Sequence, residues 1–316
     1  MLKTKIHTRE LDTCIYNASG VYCSTENELN LLSNTNTSVG AILSKSCTLQ
    51  LRSGNLKPRY WDCNQLSINS SGLPNLGYNF YNNYSYKYKF NTFNKPYILS
   101  LAGLTKEDNI YMINNLDQNL VDGIELNMSC PNIKGKSQTG YDFESTEELL
   151  RKASEIIDSK YSKDFIFGVK LPPYFDEIHF NTVSEIINNS SVNAITCINS
   201  LGNGLVVDID TESTVIKPKN GFGGIGGSVI KPIALSNVHK FYTLTNCSVI
   251  GCGGISTGQD AFEHILCGAS AVQIGTQFYK EKHSCFRRIE TELKQIMKGK
   301  GYTSLDDFKG KLSYLT

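Results

Sequence analysis

The residues Asn127 to Lys136, N-M-S-C-P-N-I-K-G-K, follow directly on V-D-G-I-E-L, a short apolar-rich run that reads as a buried strand. A strand that ends in amides, a serine, a cysteine and a proline has given up β-forming residues for groups that bind or react. A free thiol titrates near about 8.5, so a modest depression or an open proton path makes it a usable base near neutrality. Cys130 is therefore the candidate proton-transfer residue, held beside amides and the rigid Pro131. Two lysines, Lys45 and Lys170, close other apolar runs. A lysine at the end of a buried strand is costly without an anionic partner. Amides at Asn69, Asn127, Asn132 and Asn199 are suited to a planar heterocycle that presents alternating donors and acceptors.

These groups need a scaffold that gathers them. Eight short apolar segments are present: 13–17, 39–45, 96–102, 121–127, 165–170, 192–199, 248–253 and 271–276. Helical patterns lie between most of them, as at Glu144–Ile157, Pro232–Leu244, Gly258–Leu266 and Cys285–Met297. Strands alternating with helices imply a parallel sheet, and eight such units predict one α/β domain over 1–316, a (β/α)8 TIM barrel. Seven of the eight segments end in polar or glycine residues, and barrel sites form at the C-terminal ends of strands. The connections 46–95 and 200–231 are long, and structureless loops of that size are improbable. Small β-hairpins over the C-terminal mouth are expected there.

Glycines after the last two barrel strands are a common way to hold phosphate through bare backbone N–H groups. Here they are Gly253-Gly254, ahead of the helix at Gly258, and Gly275-Thr276; G-G-I-G-G at 223–227 adds a third backbone approach. The anions that suit Lys45 and Lys170 are thus a phosphate, a substrate carboxylate or the electron-rich N1–C2 edge of a reduced flavin.

Composition removes other classes. With 31 basic and 30 acidic residues and no basic block with interleaved aromatics, a nucleic-acid partner is not expected. No apolar run reaches the roughly 18 residues of a membrane span, and the N-terminus lacks the apolar core of a signal peptide, so a cytoplasmic protein without membrane attachment is expected. The ten cysteines are scattered without a C-x-x-C pair, and the five histidines form no metal pattern. Reduced thiols and no bound metal are the expectation. Trp61 and Tyr60 read as loop packing.

The stretch N-M-S-C-P-N-I-K-G-K-S-Q-T-G-Y-D-F-E resembles the signature of the class 1A, fumarate-linked dihydroorotate dehydrogenases. The likeness continues through K-S-C-T-L, P-R-Y, I-N-S-S-G-L-P-N-L-G, G-V-K-L-P-P-Y-F-D, I-N-S-L-G-N-G-L, I-K-P-K-N-G-F-G-G-I-G-G and I-G-C-G-G-I-S-T-G-Q-D-A-F-E-H-I-L-C-G-A. A collinear series over essentially the whole chain is far more specific than any one glycine motif.

The resemblance implies an FMN enzyme that oxidises dihydroorotate to orotate in pyrimidine synthesis, is reoxidised by fumarate (giving succinate), and works as a homodimer. It implies that Cys130 takes the C5 proton while the C6 hydride goes to flavin N5. Matching substrate positions are Lys45, Asn69, Ser70, Ser71, Gly72, Leu73, Asn127, Asn132, Asn199 and Ser200. Matching flavin positions are Ala18, Ser19, Gly20, Lys45, Ser46, Asn127, Lys170, Ile198, Gly226, Gly227, Gly253, Gly254, Gly275 and Thr276. One departure is Ser71, where the family usually has methionine; an apolar cover over the substrate is lost. The rival readings are a subunit of an NAD-linked enzyme, a flavin oxidoreductase on another small planar acid, and a flavin-storing protein with a dead site. The first needs a partner chain, since this one has no cluster motif and no NAD fingerprint.

Overall fold

The computed structural model describes residues 1–34, 38–90, 95–129 and 138–315. Its centre is a sheet of eight parallel strands: Ile15–Asn17, Ile42–Leu43, Tyr97–Leu101, Gly123–Asn127, Ile166–Leu171, Ala194–Cys197, Ser248–Cys252 and Ala271–Ile274. All eight fall inside the segments read from the sequence, give or take a residue at the ends. They are legible because a parallel strand is buried on both faces and runs almost continuously apolar. The ladder passes from the second strand through to the eighth, and the eighth returns to the first, with Gln273 opposite Tyr16.

The seam between the first and second strands is closed differently. Gly40 N donates to Ile15 O at 2.8 Å, and the buried Asn17 amide clasps Leu43, donating to its carbonyl at 2.7 Å and accepting from its N–H at 3.0 Å. One side chain thus supplies the two hydrogen bonds that a backbone ladder would make there.

The outer helices are the expected ones, Gly258–Leu266 with the same bounds and Phe143–Lys160, Lys231–Leu244 and Ser284–Gly299 with ends extended. Phe143–Lys160 starts where Asp142 accepts from Ser145 N, and it buries Leu149, Leu150, Ala153 and Ile157 on one stripe. Gly258–Leu266 opens on a capping box between Thr257 and Asp260. A hairpin of Thr4–Ile6 and Arg9–Leu11 lies at the N-terminal end of the barrel, where Thr4 Oγ1 donates to Ser270 O at 2.7 Å.

The two long connections form the expected antiparallel hairpins, and two of these pair with each other. Tyr60–Asp62 and Ser67–Asn69 from the first join Leu201–Gly204 and Gly223–Gly226 from the second in one four-stranded antiparallel sheet, with Gly224 opposite Asn69. Only Val207–Asp208 and Ser213–Thr214 form a hairpin apart from it. The first connection also contains the helix Tyr78–Phe90, which buries Tyr78, Tyr81, Tyr84 and Tyr88 toward the barrel. The cap is tied to the eighth barrel unit. Ser67 Oγ lies 2.9 Å from Thr276 Oγ1, and Lys280 Nζ donates to Cys63 O at 2.5 Å and Asn64 O at 3.2 Å.

Candidate functional site

Cap and barrel mouth enclose a cavity of about 850 Å³. That is within the roughly 300–1,000 Å³ of small-molecule and cofactor sites. Its wall contains Lys45, Asn69, Ser71, Gly72, Leu73, Asn127, Asn199 and Ser200, together with Ala18, Ser19, Gly20, Ser46, Lys170, Ile198, Gly226, Gly227, Gly253, Gly254, Gly275 and Thr276. Residues up to 258 positions apart, Ala18 and Thr276, therefore meet at one mouth. Ser70 stands behind the wall: it is fully buried, its N–H donates to Arg59 O at 2.9 Å, and its Oγ has no partner among the described residues. Cys130 and Asn132 lie outside the described residues.

The strand end that leads to Cys130 is held firmly. Asn199 Nδ2 donates to Ser129 O at 2.7 Å and to Asn127 Oδ1 at 3.3 Å. Asn127 Oδ1 also accepts from Ser129 N at 3.0 Å, while the buried Ser129 hydroxyl donates to Gln138 Oε1 at 2.9 Å. Two of the amides picked out for ligand binding thus fix one another and the backbone beside the thiol. On the other side Ser46 Oγ bonds Ser19 Oγ at 3.1 Å and Ser100 Oγ at 2.9 Å, joining the ends of three strands.

The floor carries positive charge. Lys45 is 8% exposed and Lys170 is 4% exposed. Lys170 Nζ donates to Gln273 Oε1 at 2.7 Å and lies 3.3 Å from Cys252 Sγ. Burial works against its ammonium, but the sulfur of Cys252 and the carboxylate of Glu125 outweigh it and hold Lys170 above the ordinary lysine value.

The glycine wall is shaped by backbone conformation. Gly253 and Gly254 have φ of +126° and +76°, which turns the chain tightly after the seventh strand. A Cβ on Gly254 would stand 2.8 Å from Lys231 N and 2.5 Å from Lys231 Cβ. Behind the turn the imidazole of His264, fully buried, lies with Nε2 3.1 Å from Gly253 O. Burial pulls this histidine down to about 4, so near neutrality it is uncharged and its Nε2–H donates to that carbonyl. Lys231 is fixed as well, 2.7 Å from both Asp260 Oδ1 and Glu263 Oε2.

Other wall residues were given no role from the sequence: Arg59, Gln273, Cys252 and Tyr279 among them. Tyr60, read as loop packing, lines the cavity and packs on Tyr279 with ring centres 4.2 Å apart. Gln273 carried a signal, an amide in the middle of the apolar segment A-V-Q-I-G-T. Among the described residues no three His, Cys, Asp or Glu side chains gather as a metal site, and no helix is long and apolar enough to cross a membrane.

Comparison with known proteins bears on this cavity. The family model described as dihydroorotate dehydrogenase matches residues 1–297. A relative named dihydroorotate dehydrogenase (fumarate), from Lachancea kluyveri, is 49% identical over 303 residues, covering 95% of this chain and 94% of the relative. One named dihydroorotate dehydrogenase A (fumarate), from Lactococcus lactis subsp. lactis, is 48% identical over the full length of both chains. Two solved structures of DHODH from Eimeria tenella share the fold. The one in complex with ferulenol has a TM-score of 0.81 at 19% identity, over 98% of this chain and 88% of that one. The ligand-free one has a TM-score of 0.83 at 18% identity, over 98% of this chain and 91% of that one.

Proposed function

The chain belongs to the dihydroorotate dehydrogenase family, and from that premise we propose that it oxidises dihydroorotate to orotate in pyrimidine synthesis, with FMN as its flavin and fumarate as electron acceptor. The observation that carries the proposal is the meeting, in one cavity, of two buried lysines, three strand-end or cap amides and a turn of left-handed glycines. The fumarate designation of the relatives favours this acceptor over an NAD-linked assembly.

The residues fit a flavin mononucleotide. The turn at Gly253-Gly254 has no room for side chains behind it and leaves backbone N–H groups for a phosphate. Gly227, Gly275 and Thr276 border the same cavity. Lys170 offers a buried ammonium to an electron-rich ring edge. Bound flavin would supply the two-electron chemistry, taking hydride from C6 of dihydroorotate and passing the electrons on to fumarate.

The chain's own residues do the remaining work. Cys130 removes the C5 proton of dihydroorotate as general base. Asn69, Asn127, Asn132 and Asn199 hydrogen-bond the planar ring and its substituents, with Ser200 beside them. Lys45 balances the substrate carboxylate and the adjoining ring. Gly72 and Leu73, both left-handed at φ of +70° and +54°, turn the backbone of the 69–73 loop, Ser70 supports it from behind, and Ser71 gives the cavity wall a small side chain that lets the substrate approach. Orotate leaves first, fumarate enters by the same mouth, and succinate leaves last, a two-step exchange. We read the working unit as a homodimer in the cytoplasm.

Anaerobic titration of the purified chain tests the proposal. Dihydroorotate should bleach the yellow flavin absorbance stoichiometrically, and fumarate should restore it. A flavin that dihydroorotate leaves oxidised, or that fumarate cannot reoxidise, refutes it.

A further inference from the structure

Barrel interiors are ordinarily filled by branched aliphatic side chains. Below this cavity five polar ones meet instead: Tyr16, Glu125, Lys170, Thr196 and Gln273, from the first, fourth, fifth, sixth and eighth strands. None is more than 4% exposed. Lys170 Nζ donates to Gln273 Oε1, and Gln273 Nε2 donates onward to Glu125 Oε2 at 2.5 Å and to Tyr16 OH at 3.2 Å. Thr196 Oγ1 donates to the same Glu125 oxygen at 2.7 Å, while Glu125 Oε1 has no hydrogen-bond partner among the described residues.

A buried carboxylate with an unused oxygen is an expensive component, and the backbone ladders on both sides of Glu125 are complete without it. Its chemistry explains its place. An ionised carboxylate only accepts hydrogen bonds, so it turns the NH2 of Gln273 toward itself. The carbonyl oxygen of that amide then necessarily faces Lys170. With the amide reversed, two donors would confront each other in a dry interior. Charge at Glu125 is thereby converted into an orientation at Gln273 and an acceptor for the ammonium.

We propose that Glu125 is a positioning residue that acts through Gln273 to keep Lys170 charged and aimed into the flavin cavity. The role rests on the FMN reading above. The other titratable groups around Lys170 are Cys252 on the seventh strand, Cys197 on the sixth, and Tyr16 and Cys23 toward the first. Burial raises Cys197 and Tyr16 well above their ordinary values and Cys23 to about 12, so these three stay neutral near physiological pH. Lys45 is the further cation of this shell. Among the described residues Glu125 is the carboxylate that acts on Lys170, and Glu28 acts on Cys23.

The test is the dissociation constant of FMN, followed by flavin fluorescence, for the wild type, Glu125→Gln and the exchanged pair Glu125→Gln/Gln273→Glu. In the wild type it should be flat from about pH 7 to about pH 9, since Lys170 keeps its proton. Glu125→Gln should bind FMN at the lower pH and weaken about tenfold by the upper one, as Lys170 loses its proton within the range. The exchanged pair puts the carboxylate directly on Lys170 and should return the flat profile, which lost packing alone would not do. A Glu125→Gln profile parallel to wild type, or an exchanged pair as steep as the single variant, overturns the role. If Glu125→Gln fails to fold, the exchanged pair decides by itself, a flat profile supporting the role and a steep one refuting it. A wild type that binds no FMN refutes the cofactor reading, and this role with it.

Discussion

Gly254→Ala isolates what the glycine turn contributes. The new methyl meets two obstacles at once. At φ of +76° an L side chain is in the left-handed region, a cost of roughly 1–2 kcal/mol. Its Cβ would also stand 2.5, 2.7 and 2.8 Å from Cβ, Cα and N of Lys231. Lys231 cannot easily retreat, because it begins the helix Lys231–Leu244 and is bridged to Asp260 and Glu263 at 2.7 Å each. The turn must therefore move, and it moves toward the cavity. Losing one backbone hydrogen bond to a charged phosphate costs about 1.5–3 kcal/mol, which is roughly 10–150-fold in Kd.

The assay is reconstitution of flavin-free protein with FMN, read by fluorescence, alongside turnover at saturating FMN. The expected result is a Kd about 10- to 150-fold weaker, with kcat within a few-fold of wild type once the site is filled. Gly299→Ala is the control: it ends the helix Ser284–Gly299 and nothing lies within 4 Å of its added Cβ. It should leave Kd unchanged. A Gly254→Ala protein that binds FMN as tightly as this control would refute the assignment of the turn to the phosphate.

Three further outcomes follow from the same geometry. Cys130→Ala should keep its yellow flavin yet lose nearly all flavin reduction by dihydroorotate at neutral pH; unchanged single-turnover rates in stopped flow would remove Cys130 as the base. Asn17→Leu strips the amide that serves both the N–H and the carbonyl of Leu43. At about 1–3 kcal/mol per buried unpaired group, it should lower stability by about 2–6 kcal/mol in urea unfolding, and a loss under 1 kcal/mol would show that the seam closes without it. His264 has a folded value of about 4 against an ordinary 6.5, so between those two pH values the unfolded chain binds the extra proton and stability falls as pH falls. By about pH 5 the loss from this group should be about 2 kcal/mol, and His264→Gln should flatten that part of the urea-midpoint profile.

The barrel was legible in the sequence for a physical reason. Its strands are buried on both faces, so each appears as an apolar run, and each ends at the one surface where a ligand can be reached. That also made the wall legible: Lys45, Asn127, Lys170, Gly254 and Thr276 are all strand-end or first-turn residues, and all line the cavity. The cap was less legible because its pairing is between distant segments. Ser67–Asn69 aligns with Gly224–Gly226, some 155 residues away, and two glycine-rich stretches carry little strand signal of their own. The helix Tyr78–Phe90 was hidden by composition, since Tyr and Asn are poor helix formers and its hold comes from burying tyrosines.

The seam and the interior network were concealed by a different effect. Asn17, Glu125, Thr196 and Gln273 sit inside otherwise apolar strands, where one polar letter does not disturb the pattern. Read singly, each is a blemish in a strand. Read as residues that must be satisfied when buried, they demand partners, because an unpaired buried polar group costs about as much as a small domain can spare. Asn17 finds its partner in the backbone of Leu43, and that closes the barrel. Glu125 finds only part of its satisfaction, in Gln273 and Thr196, and among the described residues leaves one oxygen without a partner. A barrel selected for stability alone would have put a valine or leucine there. The carboxylate stands where it is related, through an amide, to the lysine that lines the cavity, and the proposed positioning role ties its cost to function instead of folding.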